Sequence, residues 1–477
     1  MLKSAVFIRH RIPFLFALTS LLFYIVFAYD VIRTDYIKLV TLYVGLFVLF
    51  YKLVQFLKHD IKLLTDLAFL FRAVFILAIP NLSQDFYRFI WDGRMILEGY
   101  NPYVYTPESF VLNNILPIFQ AQELYDGMGS LSAGHFTNYP PINQLCFVLA
   151  GWFAGKSILG SVIVMRLLII AADLGTLYFG KKLLKKLNLP VHHIFWYILN
   201  PFIIIELTGN LHFEGVMIFF LVWSLYLLYN NKWQWAAVLF ACSVSVKLIP
   251  LIFLPLFFKW FTSKPEPVIS SEVEKSQNNM SVIASEAKQS LITKGLTKLI
   301  GFYSIVLLLT ILSFLPFYSH QFVTNYTKTV GLWFQNFEFN ASFYYLFREI
   351  GYSISGYNQI ASIGKLMAFT VFCGVIAIAF FKKNHRLQHL IASMLLALTL
   401  YLFLSTTVHP WYLATLVFLS IFTNYKFPLV WSFMVIFSYL AYTNTNNTEN
   451  LWVITFEYVV VIAVFLFDLK KTKAIEN

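Results

Sequence analysis

The stretch Asp85–Tyr105, DFYRFIWDGRMILEGYNPYVY, places two aspartates, two arginines and several aromatic residues directly after an apolar run that ends at Pro80. A carboxylate there can take the proton of an attacking hydroxyl group, and a nearby arginine can bind an anion. Asp92 belongs to a Trp-Asp-Gly sequence, which predicts a turn that its side chain caps. Each group taken alone could simply be solvated, so evidence for a site must come from residues elsewhere in the sequence.

Other ionisable residues recur in short polar turns between apolar runs. Ionisable groups at membrane depth are costly and usually face a polar cavity, so Glu206, His212 and Lys247 are difficult to dismiss as structural. Most tryptophans and tyrosines, in contrast, fit an aromatic belt at the membrane interface. The turns are HFTNYPPINQ at 135–144, ELTGNLHFEG at 206–215, the start of VKLIPLIFLPL at 246–256, WFQNFEFN at 333–340 and TTVHPWY at 406–412.

The composition predicts an all-α polytopic membrane protein that holds these turns in place. Of 477 residues, 59% are hydrophobic and 12% are charged, whereas soluble domains have about 25% charged residues. The apolar runs do not alternate with polar residues, which excludes a β-barrel. About 13–14 transmembrane helices are expected, near 12–29, 38–57, 63–80, 158–180, 192–208, 213–229, 233–248, 249–258, 297–316, 360–381, 387–405, 410–424, 427–444 and 451–468.

Two segments depart from this pattern. The run Ile142–Gly155 is too short to span comfortably, and we interpret it as half-embedded. The run 249–258 contains Pro250 and Pro255 and is expected to be a broken helix, which membranes tolerate where protein covers the freed backbone.

Basic residues orient the helices. They gather in one set of short loops, which the positive-inside rule places in the cytoplasm together with both termini. The net charge of +12 therefore reflects topology, and no nucleic-acid partner is expected. The protein is predicted in the cytoplasmic (plasma) membrane, with the long loop 81–141, carrying amphipathic helices, on the outer or periplasmic face. Residues 262–294 contain the imperfect repeat VISSEVEKS and VIASEAKQS and are predicted to be a disordered or loosely helical cytoplasmic insertion.

Several of these motifs together resemble the GT-C superfamily of integral-membrane glycosyltransferases, which use polyprenyl-phosphate-linked sugars. They are SQDFYRFIWDGRMILEGYNPY, YPP, NPFIIIELTGNLHFEG, VKLIPLIFLPL, FEFN and HPWY. The sequence is most similar to bacterial mannosyltransferase-like members, although Arg88-Phe89 replaces a commoner Arg-Tyr and His212-Phe213-Glu214 replaces His-x-Asp. The resemblance implies a GT-C-like fold, with Asp85 as the general base that acts on the acceptor hydroxyl.

The remaining residues receive roles from the chemistry of such a transfer. The leaving phosphate needs positive charge or hydrogen-bond donors, and pyranose rings are held by aromatic faces, carboxylates and amides. No essential metal or other cofactor is expected, because Asp85 and Asp92 are seven residues apart with no D-x-D between them. The phosphate candidates are Lys247, His409, Tyr412 and Arg88; the sugar and acceptor candidates are Trp91, Asp92, Tyr103, Tyr139, Glu206, His212, Glu214, Trp333, Asn336 and Asn340.

The predicted function is an inverting transfer of a sugar, most simply mannose, from a polyprenyl-phosphate donor to a glycolipid, glycan or protein acceptor at the outer face, among membrane lipids. The alternative is a transporter or lipid flippase for a glycan or lipid-linked substrate. Transporters often place charges at the bilayer midplane within two related halves. Here the distinctive residues gather on one predicted face, which favours the enzyme.

Overall fold

The computed structural model describes residues 5–263, 280–335, 337–444 and 446–476, and these are helical almost throughout. The first half contains α1 (Ala5–Tyr29), α2 (Tyr36–Leu57), α3 (Ile61–Ala73), α4 (Asp85–Leu97), α5 (Pro107–Val111), α6 (Ala121–Ala133), α7 (Pro141–Ala154), α8 (Ile158–Lys186), α9 (Phe195–Ile198), α10 (Pro201–Ile203), α11 (Glu214–Tyr229), α12 (Trp233–Val246) and α13 (Phe257–Thr262). The second half contains α14 (Met280–Phe314), α15 (His320–Gln335), α16 (Phe343–Ser355), α17 (Ile360–Phe381), α18 (Leu387–Phe403), α19 (Ala414–Ser420), α20 (Phe427–Met434) and α21 (Leu451–Glu476).

Six helices of the described residues are long and apolar enough to cross a membrane, and the prediction of an all-α, multi-pass membrane protein is confirmed. An α-helix of about 20 residues spans the hydrocarbon core of a bilayer, since each residue adds about 1.5 Å. The remaining predicted crossings correspond to shorter or bent helices, so the number 13–14 stays a prediction. The six spans are Arg11–Tyr29, Tyr36–Leu57, Ile158–Lys186, Thr293–Phe317, Ile360–Phe381 and Leu451–Thr472.

The predicted crossing at 192–208 is broken in the middle. Val191–Ile198 and Pro201–Gly209 meet at an angle of 49°, because Pro201 has no N–H to continue the helix. The Asn200 side chain caps the new start by accepting from the Phe202 N–H at 3.0 Å. The second part continues as a π-helix, Ile204–Gly209, which carries Glu206.

Two buried arginines fix this bent segment to its neighbours. Arg72 on α3 pairs with Asp173 on α8 at 2.7 Å, with both side chains fully buried, and also donates to the Ile198 carbonyl at 2.7 Å. Arg166 on α8 donates to the carbonyl oxygens of Thr208 and Gly209 at 2.8 and 2.9 Å. Backbone groups freed by the break are therefore satisfied inside the protein, as a lipid environment requires.

The Trp-Asp-Gly sequence does not form the predicted turn. It lies within α4, and a Cβ atom on Gly93 would come 2.2 Å from the carbonyl oxygen of Phe147 on α7. The glycine thus allows two helices to approach closely. Asp92 does not cap a turn either, because its carboxylate pairs with Arg88 at 2.7 Å and accepts from Gln144 at 3.0 Å.

Both unusual segments of the sequence have a helical counterpart. Helix α7 has 14 residues and is about 21 Å long, shorter than a full crossing, and it packs between α4 and α8. The proline-containing run is a 3₁₀-helix, Ile249–Leu256, that continues into α13, and its interpretation as a broken helix stays a prediction. Of the predicted insertion, residues 264–279 lie outside the described part of the chain, and α14 begins at Met280.

Candidate active site

The turns that carry the predicted site residues meet at one end of the helical bundle. At the same end, the Arg33 guanidinium in the α1–α2 connection lies 4.4 Å from the ring centroid of Tyr442, which brings the first part of the chain to the last. The His212 ring stacks on Trp411 at 3.7 Å, joining the middle of the chain to the HPWY motif. Residues far apart in sequence therefore form one polar, aromatic-walled site.

Asp85 is the first residue of α4 and is half-buried at this end of the bundle. Burial raises the pKa of its carboxyl to about 6; the positive charges of Lys247 and Arg33 oppose that rise, and the negative charge of Glu214 adds to it. A carboxylate with a pKa near neutral pH can take a proton efficiently from a hydroxyl group. The position of Asp85 therefore suits a general base.

Lys247 lies directly after the end of α12, where the backbone becomes extended. Its ammonium is 3.1 Å from the Glu214 carboxylate and 5.3 Å from the ring centroid of Tyr139. The Lys247 side chain is 22% exposed and that of Glu214 is 5% exposed. The ammonium is thus held by a buried carboxylate and an aromatic ring while remaining accessible to an anionic group.

A row of parallel rings forms one wall of the site. The Trp411 ring lies between the imidazoles of His212 and His409, with centroid distances of 3.7 and 4.6 Å, and Phe339 stacks on His409 at 5.1 Å. Phe339 is held in place because its N–H donates to Thr406 and its carbonyl accepts from Val408. The FEFN and HPWY motifs are therefore parts of one structural unit.

The two imidazoles of this wall are neutral hydrogen-bonding groups. Burial, reinforced by the charge of Lys247, lowers the pKa of His409 to about 3, and burial with the charges of Lys247 and His409 lowers the pKa of His212 well below its usual range. Neither His212 Nε2 nor His409 Nδ1 has a hydrogen-bond partner among the described residues. A neutral imidazole has one N–H donor and one acceptor nitrogen. His409 can therefore offer a phosphate a hydrogen bond but not a positive charge.

Glu206 connects the bent segment to the chain that precedes Asp85. Its carboxylate accepts from the Tyr439 hydroxyl at 2.8 Å and from the Asn210 amide at 3.3 Å. The Asn210 oxygen in turn accepts from the Leu82 N–H at 3.3 Å. This relay places the start of α4 relative to the membrane-embedded helices.

With this geometry established, comparison with known proteins gives a family. A family model described as Alpha-(1->6)-mannopyranosyltransferase, N-terminal domain, matches residues 19–263, just over half of the chain. The chain belongs to this family. The matched mannopyranosyltransferase region contains Asp85, Glu206, His212, Glu214 and Lys247, and the resemblance to bacterial mannosyltransferases is confirmed.

One curated relative is similar over part of its length. The chain is 21% identical over 192 residues to Alpha-(1->6)-mannopyranosyltransferase A from Mycobacterium tuberculosis. The match covers 39% of this chain and 34% of the relative, so the chain spans about a third of that protein's length. No solved structure matches the chain.

Several predicted site residues lie in the walls around the site. Arg88 donates to the carbonyl oxygens of Ser132 and His135 at 2.6 and 2.8 Å, besides pairing with Asp92. The buried Tyr103 hydroxyl donates to the Tyr139 carbonyl at 2.6 Å. These contacts fold the α4–α7 connection, as does Trp91, which is 1% exposed. The roles in binding predicted for them stay predictions.

The second half of the chain contributes fewer of the predicted groups to the open site. The backbone of the buried Asn340 donates to Glu449 at 2.6 Å, and its amide donates to Glu457 at 3.2 Å. Tyr412 is half-buried and lies edge-on to His409 at 5.4 Å. Trp333 is in α15, but its side chain lies outside the described part of the structure, as does the whole of Asn336.

Four residues at the site were not predicted from the sequence: Arg33, Gln84, Tyr439 and Tyr442. Arg33 could have been found from the sequence because it is one of few basic residues in the predicted outer loops. The two tyrosines belong to a predicted crossing and looked like interfacial residues. Among the described residues, no three His, Cys, Asp or Glu side chains come together as a metal-binding group; independence from metal stays a prediction.

Proposed function

We propose that this chain transfers mannose from a polyprenyl-phosphate carrier to a hydroxyl group of a glycan or lipid acceptor, with inversion at the anomeric carbon. The observation that carries the proposal is the half-buried Asp85, whose pKa is raised to about 6, in a site where Lys247 provides an accessible cation. Membership of the mannopyranosyltransferase family supports the choice of sugar.

In the proposed reaction, the acceptor oxygen attacks the anomeric carbon opposite the phosphate while Asp85 takes the hydroxyl proton. The bond between the anomeric carbon and the phosphate oxygen breaks, and the electron pair leaves with the polyprenyl phosphate. Lys247 compensates the charge on the phosphate, and a neutral His409 can donate one hydrogen bond to it. Because inversion converts β to α, an α-linked product implies a β-linked donor.

An apolar groove offers a place for the lipid of the donor. A cavity of about 310 Å³ lies between the 3₁₀-helix Ile249–Leu256, α17 and the end of α18. Ile252, Val371 and Phe372 are among its lining residues, and Ser405 is at its edge. The 3₁₀-helix begins two residues after Lys247, and Ser405 precedes His409 by four. A prenyl chain in this groove would therefore bring its phosphate towards both groups.

The distribution of basic residues supports a location for the site at the outer face of the membrane. From the positive-inside rule we infer that both termini and the short basic loops lie in the cytoplasm and that the Asp85 end of the bundle faces the outside of the plasma membrane. There the donor sugar would project from the membrane surface towards an acceptor outside the cell.

The test is transfer of radiolabelled mannose from undecaprenyl-phosphate mannose to octyl α-mannoside, with the protein in nanodiscs. Wild type is expected to transfer label, and Asp85→Asn is expected to bind the donor but to transfer at least about a thousandfold more slowly, since the amide cannot accept the proton. Asp30→Asn, which changes an exposed carboxylate paired with Lys38, is the matched control and should remain active.

Full turnover by Asp85→Asn would exclude Asp85 as the base. If folded wild type transferred no sugar from undecaprenyl-phosphate mannose, glucose or arabinose, the proposed glycosyltransferase activity would be contradicted. Movement of a fluorescent lipid-linked sugar across proteoliposome membranes without transfer would then favour the transporter.

A further inference from the structure

Arg33 reaches the start of α4 from the connection between α1 and α2. Its guanidinium lies over the Tyr442 ring at 4.4 Å, and Nη2 is 3.5 Å from the amide oxygen of Gln84. Gln84 directly precedes Asp85, and its own amide nitrogen donates to the Met128 carbonyl at 2.9 Å. An aromatic face and a fixed amide thus hold the arginine beside the proposed general base.

Among the described residues, Gln84 is the one hydrogen-bond acceptor of the Arg33 guanidinium. A guanidinium has five donors, and the contact with Gln84 is at the long limit for a hydrogen bond. No carboxylate among the described residues forms an ion pair with Arg33, which is half-buried. Five other arginines each donate a bond of 2.8 Å or shorter to a carbonyl or carboxylate oxygen: Arg72, Arg88, Arg94, Arg166 and Arg348.

Arg33 and Lys247 have separate surroundings, and Asp85 is common to both. Lys247 contacts Glu214 and the Tyr139 ring, whereas Arg33 contacts Tyr442 and Gln84. The two cations are therefore held by different residues of the site, and the charge of each acts on Asp85.

In a displacement with inversion, the surroundings of Lys247 and of Arg33 would bind different substrates. The acceptor and the leaving phosphate must lie on opposite sides of the anomeric carbon, and the base must lie on the acceptor side. Lys247 is close to the groove that suits the donor lipid, so the phosphate belongs on its side. The Arg33 side, where Gln84 directly precedes Asp85, is left for the acceptor.

We propose that Arg33, oriented by Tyr442 and Gln84, binds the acceptor sugar through hydrogen bonds from its planar guanidinium to two adjacent hydroxyl groups. The planar arrangement of its donors can bind two neighbouring oxygens at once, which a lysine ammonium does less well. This inference rests on the proposed function, because it assumes that a sugar hydroxyl is the nucleophile. It assigns the acceptor a subsite formed by the α1–α2 connection.

The test compares Arg33→Lys with wild type in the same transfer assay, varying donor and acceptor separately. The substitution keeps the positive charge beside Asp85 but removes the planar pair of donors. The KM for octyl α-mannoside is expected to rise about tenfold, equivalent to one lost hydrogen bond. The KM for undecaprenyl-phosphate mannose and the pH profile should remain within about twofold, since the charge is retained.

Two further variants complete the design. Lys38→Gln alters a cation in the first turn of α2, next to this connection, whose partner is the exposed Asp30, and should change neither KM. Tyr442→Leu removes the ring that orients Arg33 and should raise the acceptor KM about threefold, as expected for loss of a cation–π contact. This variant tests the same subsite if Arg33→Lys does not fold.

An unchanged acceptor KM in folded Arg33→Lys, or in Tyr442→Leu where only that variant folds, would overturn the assignment. A raised donor KM with an unchanged acceptor KM would also overturn it, because Arg33 would then bind the phosphate. These results require an active wild type, whereas failure of the proposed function would appear as an inactive wild type.

Discussion

The Lys247 ammonium lies 3.1 Å from the Glu214 carboxylate, and this pair borders the site that contains Asp85. The two charges act on Asp85 in opposite directions: Lys247 lowers its pKa and Glu214 raises it, with Arg33 as a further lowering charge. The pair therefore adjusts the pH at which the proposed base is deprotonated, as well as holding the cation that we propose binds the donor phosphate.

The first prediction concerns pH. Wild-type kcat/KM should fall below about pH 6, because Asp85 with its raised pKa becomes protonated and can no longer accept the hydroxyl proton. Lys247→Met should move this acid limb to higher pH and Glu214→Gln to lower pH. Rates measured from about pH 5 to about pH 8 test both variants, with Lys38→Gln as the control. Shifts of the same sign in the two variants would contradict the electrostatic role of the pair.

The second prediction concerns the relay from Glu206 to Leu82. In Glu206→Leu the Asn210 amide loses its acceptor, and the Asn210 oxygen that binds the Leu82 N–H is no longer held in place. We expect the start of α4 to shift, with kcat lowered about tenfold or more and both KM values nearly unchanged, since reaction geometry is more sensitive than binding. Tyr439→Phe, which loses the other hydrogen bond of Glu206, should have a smaller effect. A change confined to KM would contradict a positioning role.

The third prediction concerns the contact of α4 with α7. Gly93→Ala places a methyl group 2.2 Å from the Phe147 carbonyl oxygen, and the helices must separate. Overpacking of this kind costs about 1–3 kcal/mol, measurable as a lower unfolding temperature in detergent. The matched control is Gly215→Ala in α11, where the new Cβ would meet its neighbours at ordinary distances of 3.5 Å or more. Equal stability of both variants would show that α4 does not need this close approach.

The sequence predicted the fold best where lipid leaves the fewest choices. Long uniform apolar runs can cross a membrane only as helices, and the expected crossings at 38–57 and 360–381 agree closely with Tyr36–Leu57 and Ile360–Phe381. The sequence failed at Gly93, where a glycine was interpreted through its local turn propensity. Gly93 instead allows a close contact with α7, a helix that begins almost fifty residues later, and no local sequence pattern indicates such a contact.

The candidate site was predictable in part for the same reason. Alternation of crossings brings every second connection to the same end of the bundle, and the contacts of His212 with Trp411 and of Lys247 with Tyr139 follow from that alternation. Alternation does not indicate which residues of a connection face inward. Arg33 and Tyr442 are of types common at membrane interfaces, and their contact joins residues more than four hundred positions apart.

The buried pair of Arg72 and Asp173 has a mechanical consequence. Removing one partner of such a buried pair costs about 3–5 kcal/mol. Arg72 of this pair also donates to the Ile198 carbonyl, and Arg166 adds two bonds at the other end of the bent segment. The bent segment is therefore expected to remain rigid during turnover, and motion is expected in the connections next to it. A lipid-linked substrate would then have to enter laterally between helices, because the bent segment does not move to admit it.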